Sequence, residues 1–254
     1  MIHLNLVREG QGPLVVLSHA LGCDLRMWDG VAPILARDFT VLRYDHRNHG
    51  RSDVVAGPLS MQTLAQDAAE LIEREAGGKP VHFVGLSMGG MTAQALAVAR
   101  PELLASVVIA NSSSYYPDRA PWQARVETVQ AQGVAAIAAG AVARWLTPEF
   151  AATTDGAALA TKLHDTLIAT DPAGYIAACQ GVAAIDFRES NRKIGRPTLV
   201  VAGARDEATP PSMSEAMVQA IPGAKLGMIE AAHLSAVERP EEFVQLLKGF
   251  YASL

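Results

Sequence analysis

VHFVGLSMGGMTAQALAV, from Val81 to Val98, is the stretch on which the fold turns. Val81, Phe83 and Val84 form a short apolar run that leads into Gly85-Leu86-Ser87-Met88-Gly89, and an Ala- and Leu-rich pattern with helical character follows at once. The order is strand, sharp turn, helix, with a serine at the turn. G-x-S-x-G in that setting is a nucleophile elbow. A serine held in so tight a strand-to-helix turn crowds its neighbours, and glycines at 85 and 89 relieve the crowding because they carry no Cβ. The same geometry aims backbone N–H groups from the start of the helix at the serine, where a developing oxyanion could sit. A glycine-rich turn with an incidental serine could share the five letters. The placement between an apolar run and a helix favours the elbow.

Working outward, the chain has 254 residues, half of them hydrophobic, with a net charge of -5. That length suits one large α/β domain with a modest insertion and a substantial core. The acidic balance and the lack of a basic stripe argue against a nucleic-acid partner. Cys23 and Cys179 form no C-x-x-C or zinc pattern, so two free thiols in a reducing compartment are expected, and no metal or cofactor. The opening MIHLNLVREG lacks a basic segment followed by an apolar one, and no apolar run approaches a membrane span. A cytoplasmic protein without a membrane partner is expected.

Strands are expected over residues 2–7, 14–17, 40–44, 81–84, 106–110, 198–202 and 224–229. Helices are expected over 27–36, 60–76, after Ser87, and over 211–220 and 240–251. Strands alternating with helices imply a mostly parallel sheet covered on both faces. Between Ser112 and Asn191 no strand pattern occurs, and helical spacing recurs at 134–145, 157–169 and 172–184. The expected division is therefore a core of residues 1–115 and 191–254 with a helical cap over 116–190. The cap would lie over the carboxyl edge of the sheet, where open α/β sheets bind ligands.

A serine hydroxyl needs an adjacent base, and the base needs an orienting group. Behind an elbow serine, the acid and then the histidine follow in chain order. Asp206 stands just past the run Val200-Val201-Ala202, with Glu207 as a neighbouring rival, and His233 lies in a loop after the last expected strand. The other histidines precede Ser87, apart from His164 in the cap segment. The second oxyanion donor should come from the loop after the early strand, so the Leu21 and Met88 amides are the expected pair, with His19 a structural hydrogen-bonding partner of that loop.

With these residues placed, the chain resembles the α/β-hydrolases along its whole length, and within them the 3-oxoadipate enol-lactonases. The resemblance is carried by SHALGCDLRMWD (18–29), YDHRNHGRS (44–52), GLSMGGMTAQALA (85–97) and RWLTPEF (144–150). TDPAGYIAAC (170–179), AGARDEATPP (202–211) and AAHLSAVERPEEF (231–243) extend it. It departs in having Asn48 where the family has glycine in R-G-H-G, and Ser112 to Tyr116 is atypical. Asn tolerates positive φ, so the turn at 48 can survive.

The resemblance implies a serine hydrolase that opens a lactone or ester through an acyl-enzyme. 3-Oxoadipate enol-lactone in aromatic catabolism is the implied substrate. A substrate with a free carboxylate would need a cation in the pocket, and an arginine can bind it bidentately. Arg144 beside Trp145 is the first candidate. Arg125, three residues after Trp122, and Arg26 are alternatives, each with a solvated helix-face charge as the competing reading. A broad carboxylesterase or cofactor-free perhydrolase on the same triad is the alternative function, and a ligand receptor that retains the fold is a further one.

Overall fold

Why the chain folds around Ser87 is visible in the strands that flank it. The structure, a computed structural model, describes residues 2–254. Seven strands make one sheet in the order β1-β3-β2-β4-β5-β6-β7. They are β1 (Leu6–Gly10), β2 (Leu14–Ser18), β3 (Thr40–Tyr44), β4 (Val81–Leu86), β5 (Leu104–Ala110), β6 (Thr198–Gly203) and β7 (Lys225–Ile229). Only β1 runs antiparallel, against β3. Val15 to Leu17, Phe83, Val84, Val107 to Ala110 and Val200 to Val201 are all fully buried. Continuous apolar runs of this kind are what a parallel sheet covered on both faces requires.

Helices α1 (Ala32–Leu35), α2 (Met61–Glu75) and α3 (Met88–Ala99) accompany the first strands. In α2, Met61, Leu64, Ala68, Leu71 and Ile72 fall on one buried face at helical spacing. The Ser60 hydroxyl accepts from the Thr63 N–H and so caps the helix start. Five helices follow β5: α4 (Ala120–Gln132), α5 (Ala135–Trp145), α6 (Pro148–Ala151), α7 (Thr154–Ile168) and α8 (Pro172–Ala183). After β6 come α9 (Pro211–Ala220), α10 (Ser235–Glu238) and α11 (Pro240–Tyr251).

Two expectations need correction, and one helix carries no signal in the sequence. The first strand begins at Leu6, not at Ile2; the backbone before it is tied to the loop after β3, the Asn5 N–H donating to Ser52 Oγ and the Asn5 carbonyl accepting from the Asp45 N–H, both at 2.9 Å. Residues 27–36 are not one helix: a 3₁₀ turn over Leu25–Trp28 is followed by the single turn α1. Helix α4 carries no apolar stripe, with only Val126 and Val129 buried, and so gave no periodic signal.

Candidate active site

Ser87 ends the turn between β4 and α3 at φ 56°, ψ -115°. A non-glycine residue there costs about 1–3 kcal/mol and persists only where its surroundings over-determine it. They do so here. The Ser87 N–H donates to the Ala110 carbonyl at 2.9 Å, and the Ser87 carbonyl accepts from the Met91 N–H and the Ser112 hydroxyl. A Cβ on Gly85 would overlap the Gly89 carbonyl, and one on Gly89 would overlap the Ser18 carbonyl. Both glycines are therefore required by backbone-to-backbone approach.

The ends of three parallel strands bring the predicted residues together. His233 lies in the loop after β7, with Nε2 2.9 Å from Ser87 Oγ and Nδ1 2.8 Å from Asp206 Oδ2. Asp206 follows β6 and is 3% exposed. Its Oδ1 accepts from the Ala208 and Thr209 N–H groups at 2.8 and 2.9 Å. Its Oδ2 accepts from Thr209 Oγ1 at 2.8 Å and from Asn111 Nδ2 at 3.0 Å, as well as from His233. Burial alone would raise the Asp206 pKa, but the imidazole beside it and the hydrogen bonds from His233, Thr209 and Asn111 prevail and bring it to about 2. Asp206 is thus a carboxylate at neutral pH and an acceptor for the Nδ1 proton of His233. Glu207, its rival in the sequence, is exposed and turned toward the cavity.

Asn111 was not anticipated. It stands just past β5 at φ 45° and is fully buried. Its amide donates to Asp206 Oδ2 and to the Ala232 carbonyl, and its Oδ1 accepts from Ser235 Oγ at 2.5 Å. It therefore ties the acid to both sides of His233. The one signal available in the sequence was an Asn, a residue that tolerates positive φ, directly after a buried strand.

Leu21 is in the loop after β2 and borders the same cavity as Ser87 and His233, while Met88 is the first residue of α3. The Leu21 N–H has no backbone acceptor among the described residues. His19 is fully buried in that loop, donating from Nδ1 to the Ala20 carbonyl at 2.8 Å and accepting from the His46 N–H at Nε2. Burial holds its pKa below the ordinary histidine value.

The cavity in front of Ser87 has a volume of about 380 Å³. Its walls include Tyr116, Trp122, Arg125, Arg144, Trp145 and Met213. Trp145 is buried and Arg144 is exposed. Arg125 is half-buried, its guanidinium 4.9 Å from the Trp122 ring centroid. Neither arginine is in an ion pair among the described residues. Arg26 is elsewhere: it binds Asp24 at 2.6 Å and Thr166, outside this cavity. Asn48 adopts φ 66°, and its Oδ1 accepts from the Val55 N–H at 2.7 Å. It does not line the cavity. Of the atypical stretch, Ser112 supports the Ser87 carbonyl and Tyr116 reaches the cavity. No group of three or more His, Cys, Asp or Glu side chains among the described residues could hold a metal, and no helix there is long and apolar enough to cross a membrane.

The family model described as alpha/beta hydrolase fold matches residues 13–240. The chain belongs to the α/β hydrolase family. This hydrolase is 36% identical to 3-oxoadipate enol-lactonase 1 of Acinetobacter baylyi, over 95% of its own length and 90% of the relative's. It superposes on the crystal structure of an enol-lactonase from Burkholderia xenovorans LB400 with a TM-score of 0.94 at 30% identity, covering 99% and 97% of the two chains. A malate-bound thermophilic esterase from Thermogutta terrifontis is similar at a TM-score of 0.92 and 27% identity, with 99% and 94% covered. The hydrolase is thus similar to enol-lactonases, and an esterase lies structurally close to it as well.

Proposed function

We propose that the hydrolase opens a carboxylate-bearing enol-lactone by acyl transfer through Ser87, His233 and Asp206, with 3-oxoadipate enol-lactone as the substrate. The observation that carries this reading is the pair of contacts at His233, 2.9 Å to Ser87 Oγ and 2.8 Å to Asp206 Oδ2, facing a cavity lined by two arginines that are in no ion pair among the described residues. The similarity to two enol-lactonases supports the substrate class.

In this mechanism His233 Nε2 takes the Ser87 proton as Oγ bonds to the lactone carbonyl carbon. The Leu21 and Met88 amides donate to the oxyanion, a type of contact whose loss costs about two to three orders of magnitude in rate. As the carbonyl re-forms, the ring C–O bond breaks. The enol oxygen takes the proton from His233 and the enol becomes a ketone. Water then gives a proton to His233 and attacks the acyl carbon, and the Ser87 Oγ bond breaks with return of that proton to Oγ. Asp206 keeps the imidazole in the Nδ1–H tautomer and offsets its positive charge.

Residues 116–190 act in this reading as a cap that supplies Trp122, Arg125, Arg144 and Trp145 to the pocket over the core of residues 1–115 and 191–254. Arg125 has the stronger case for the direct contact with the substrate carboxylate, because a half-buried guanidinium is less screened than an exposed one, and Arg144 supplies a second guanidinium to the same cavity that adds to the attraction. A broader carboxylesterase is the second reading, favoured by the likeness to the malate-bound esterase.

Steady-state hydrolysis of 3-oxoadipate enol-lactone beside p-nitrophenyl acetate separates the two, with Ser87→Ala as the control. A kcat/KM on the lactone far above that on the ester, abolished in Ser87→Ala, supports the proposal. Good ester turnover with negligible lactone turnover replaces it by the second reading.

A further inference from the structure

Glu238 is a buried carboxylate that the mechanism above leaves unused. It is 3% exposed and has no cationic partner among the described residues. Its hydrogen bonds go to two segments that are far apart in the chain. Glu238 Oε2 accepts from the Thr147 N–H at 3.0 Å, and Oε1 accepts from the Thr147 hydroxyl. Oε2 also accepts from the Ala232 N–H at 3.3 Å, next to His233. A fourth bond runs parallel to these, the Leu234 N–H donating to the Trp145 carbonyl at 2.9 Å. Residues 145 and 147, just past Arg144, are therefore clamped to residues 232 and 234, which flank His233.

A buried carboxylate without a cation is retained at the cost of its hydration, so its acceptors must be filled by well-placed donors. Here all the donors belong to the segment that carries Arg144 and Trp145 or to the loop that carries His233. We infer that Glu238 is a positioning residue, which sets the Arg144–Trp145 wall of the pocket at a fixed distance from the His233 imidazole and so couples recognition of a charged substrate to the placement of the base. The inference rests on the proposed role of His233 and of the cavity, and deepens it by naming what holds the wall to the base. Misplacement by about 1 Å of a group remote from the chemistry can cost up to about a hundredfold in rate.

The test compares Glu238→Gln, Thr147→Val and Thr147→Ser on mono-p-nitrophenyl glutarate, which bears a carboxylate, and on p-nitrophenyl acetate. Thr147→Val removes the hydroxyl from the clamp and leaves Ala232 held. It should raise KM for the charged ester roughly tenfold, with a much smaller change in kcat, and should shift acetate hydrolysis far less. Thr147→Ser should restore the wild-type values. Glu238→Gln, which turns an amide against N–H donors, should lower turnover of both esters. The double variant Glu238→Gln/Thr147→Val should be no worse than Glu238→Gln alone, because both act through one clamp. Thermal melts of each variant confirm folding.

Equal losses on both esters in a folded Thr147→Val, or no change in either, would overturn the inference. So would additive losses in the double variant. Failure of the underlying reading is visible separately: wild-type ester turnover that survives Ser87→Ala would remove the proposed nucleophile before any clamp variant is considered.

Discussion

Asp206→Asn is the substitution whose outcome follows most directly from the geometry. Five donors converge on this carboxylate: the Ala208 and Thr209 N–H groups on Oδ1, and Thr209 Oγ1, Asn111 Nδ2 and His233 Nδ1 on Oδ2. An asparagine is isosteric but must turn its NH2 toward one of the two sets. Turned toward the backbone amides, it sets donor against donor twice. Turned toward His233, it forces the imidazole to accept at Nδ1 and to carry its proton on Nε2, where the proposed mechanism needs a free acceptor for the Ser87 proton. Loss of the orienting carboxylate in this way lowers kcat by about four orders of magnitude in a Ser-His-Asp enzyme, equivalent to roughly 5 kcal/mol on the barrier. Stability should fall as well. The depression of the Asp206 pKa from its ordinary 3.8 to about 2 corresponds to roughly 2 kcal/mol. The assays are p-nitrophenyl acetate kinetics and urea unfolding on the same preparations. An Asp206→Asn protein that keeps a tenth of the wild-type kcat would refute the reasoning, and would point to Glu207 or to a water as the orienting group.

The same depressed pKa predicts a pH dependence. Because the folded-state value lies below the unfolded one, the stabilisation from Asp206 is complete above about pH 4 and is lost as pH falls toward 2. The stability gap between wild type and Asp206→Asn, measured by urea melts, should therefore narrow over that window. Arg125→Met should raise KM for a carboxylate-bearing lactone about ten- to a hundredfold, since a hydrogen bond to a charged group contributes about 1.5–3 kcal/mol. An unchanged KM would transfer the proposed anion contact to Arg144. Asn48→Gly gains a residue at ease with φ 66° but loses the bond to the Val55 N–H, so unfolding free energy should change by less than about 1 kcal/mol. Its kcat should stay near wild type, and a tenfold loss would show that this turn reaches the substrate. Gly85→Ala should give little folded protein in circular dichroism melts, because its methyl group meets the backbone of Gly89 and Gly90 and not a movable side chain.

Much of the fold was legible because parallel strands buried on both faces are written as unbroken apolar runs, as in Leu14 to Leu17 and Leu199 to Ala202. The edge strand β1 was misplaced because its residues are mostly half-exposed or exposed and carry no such run. Helix α4 escaped because a helix with two buried side chains leaves no stripe. The positions of Ser87, Asp206 and His233 could be read from strand ends and chain order, which are local signals. Asn111 and Glu238 could not, since each earns its place only through residues about ninety or more positions away, apart from the contact of Glu238 with Ala232. Arg26 reads as a free cation in the sequence, but Asp24, two residues before it, engages it locally.

The interleaved order of the sheet has a kinetic corollary. Ser87 and His233 are 146 residues apart in the chain, and β5 meets β6 only after the whole helical stretch between them has been spanned. Loop closures of that length slow folding, and parallel strands cannot pair as local hairpins. Helices such as α2 can form early in a refolding chain, so ellipticity should return before the last strands dock. Hydrolytic activity should be among the final properties to reappear, which makes the rate of ester turnover during refolding a direct clock for the docking of β6 and β7.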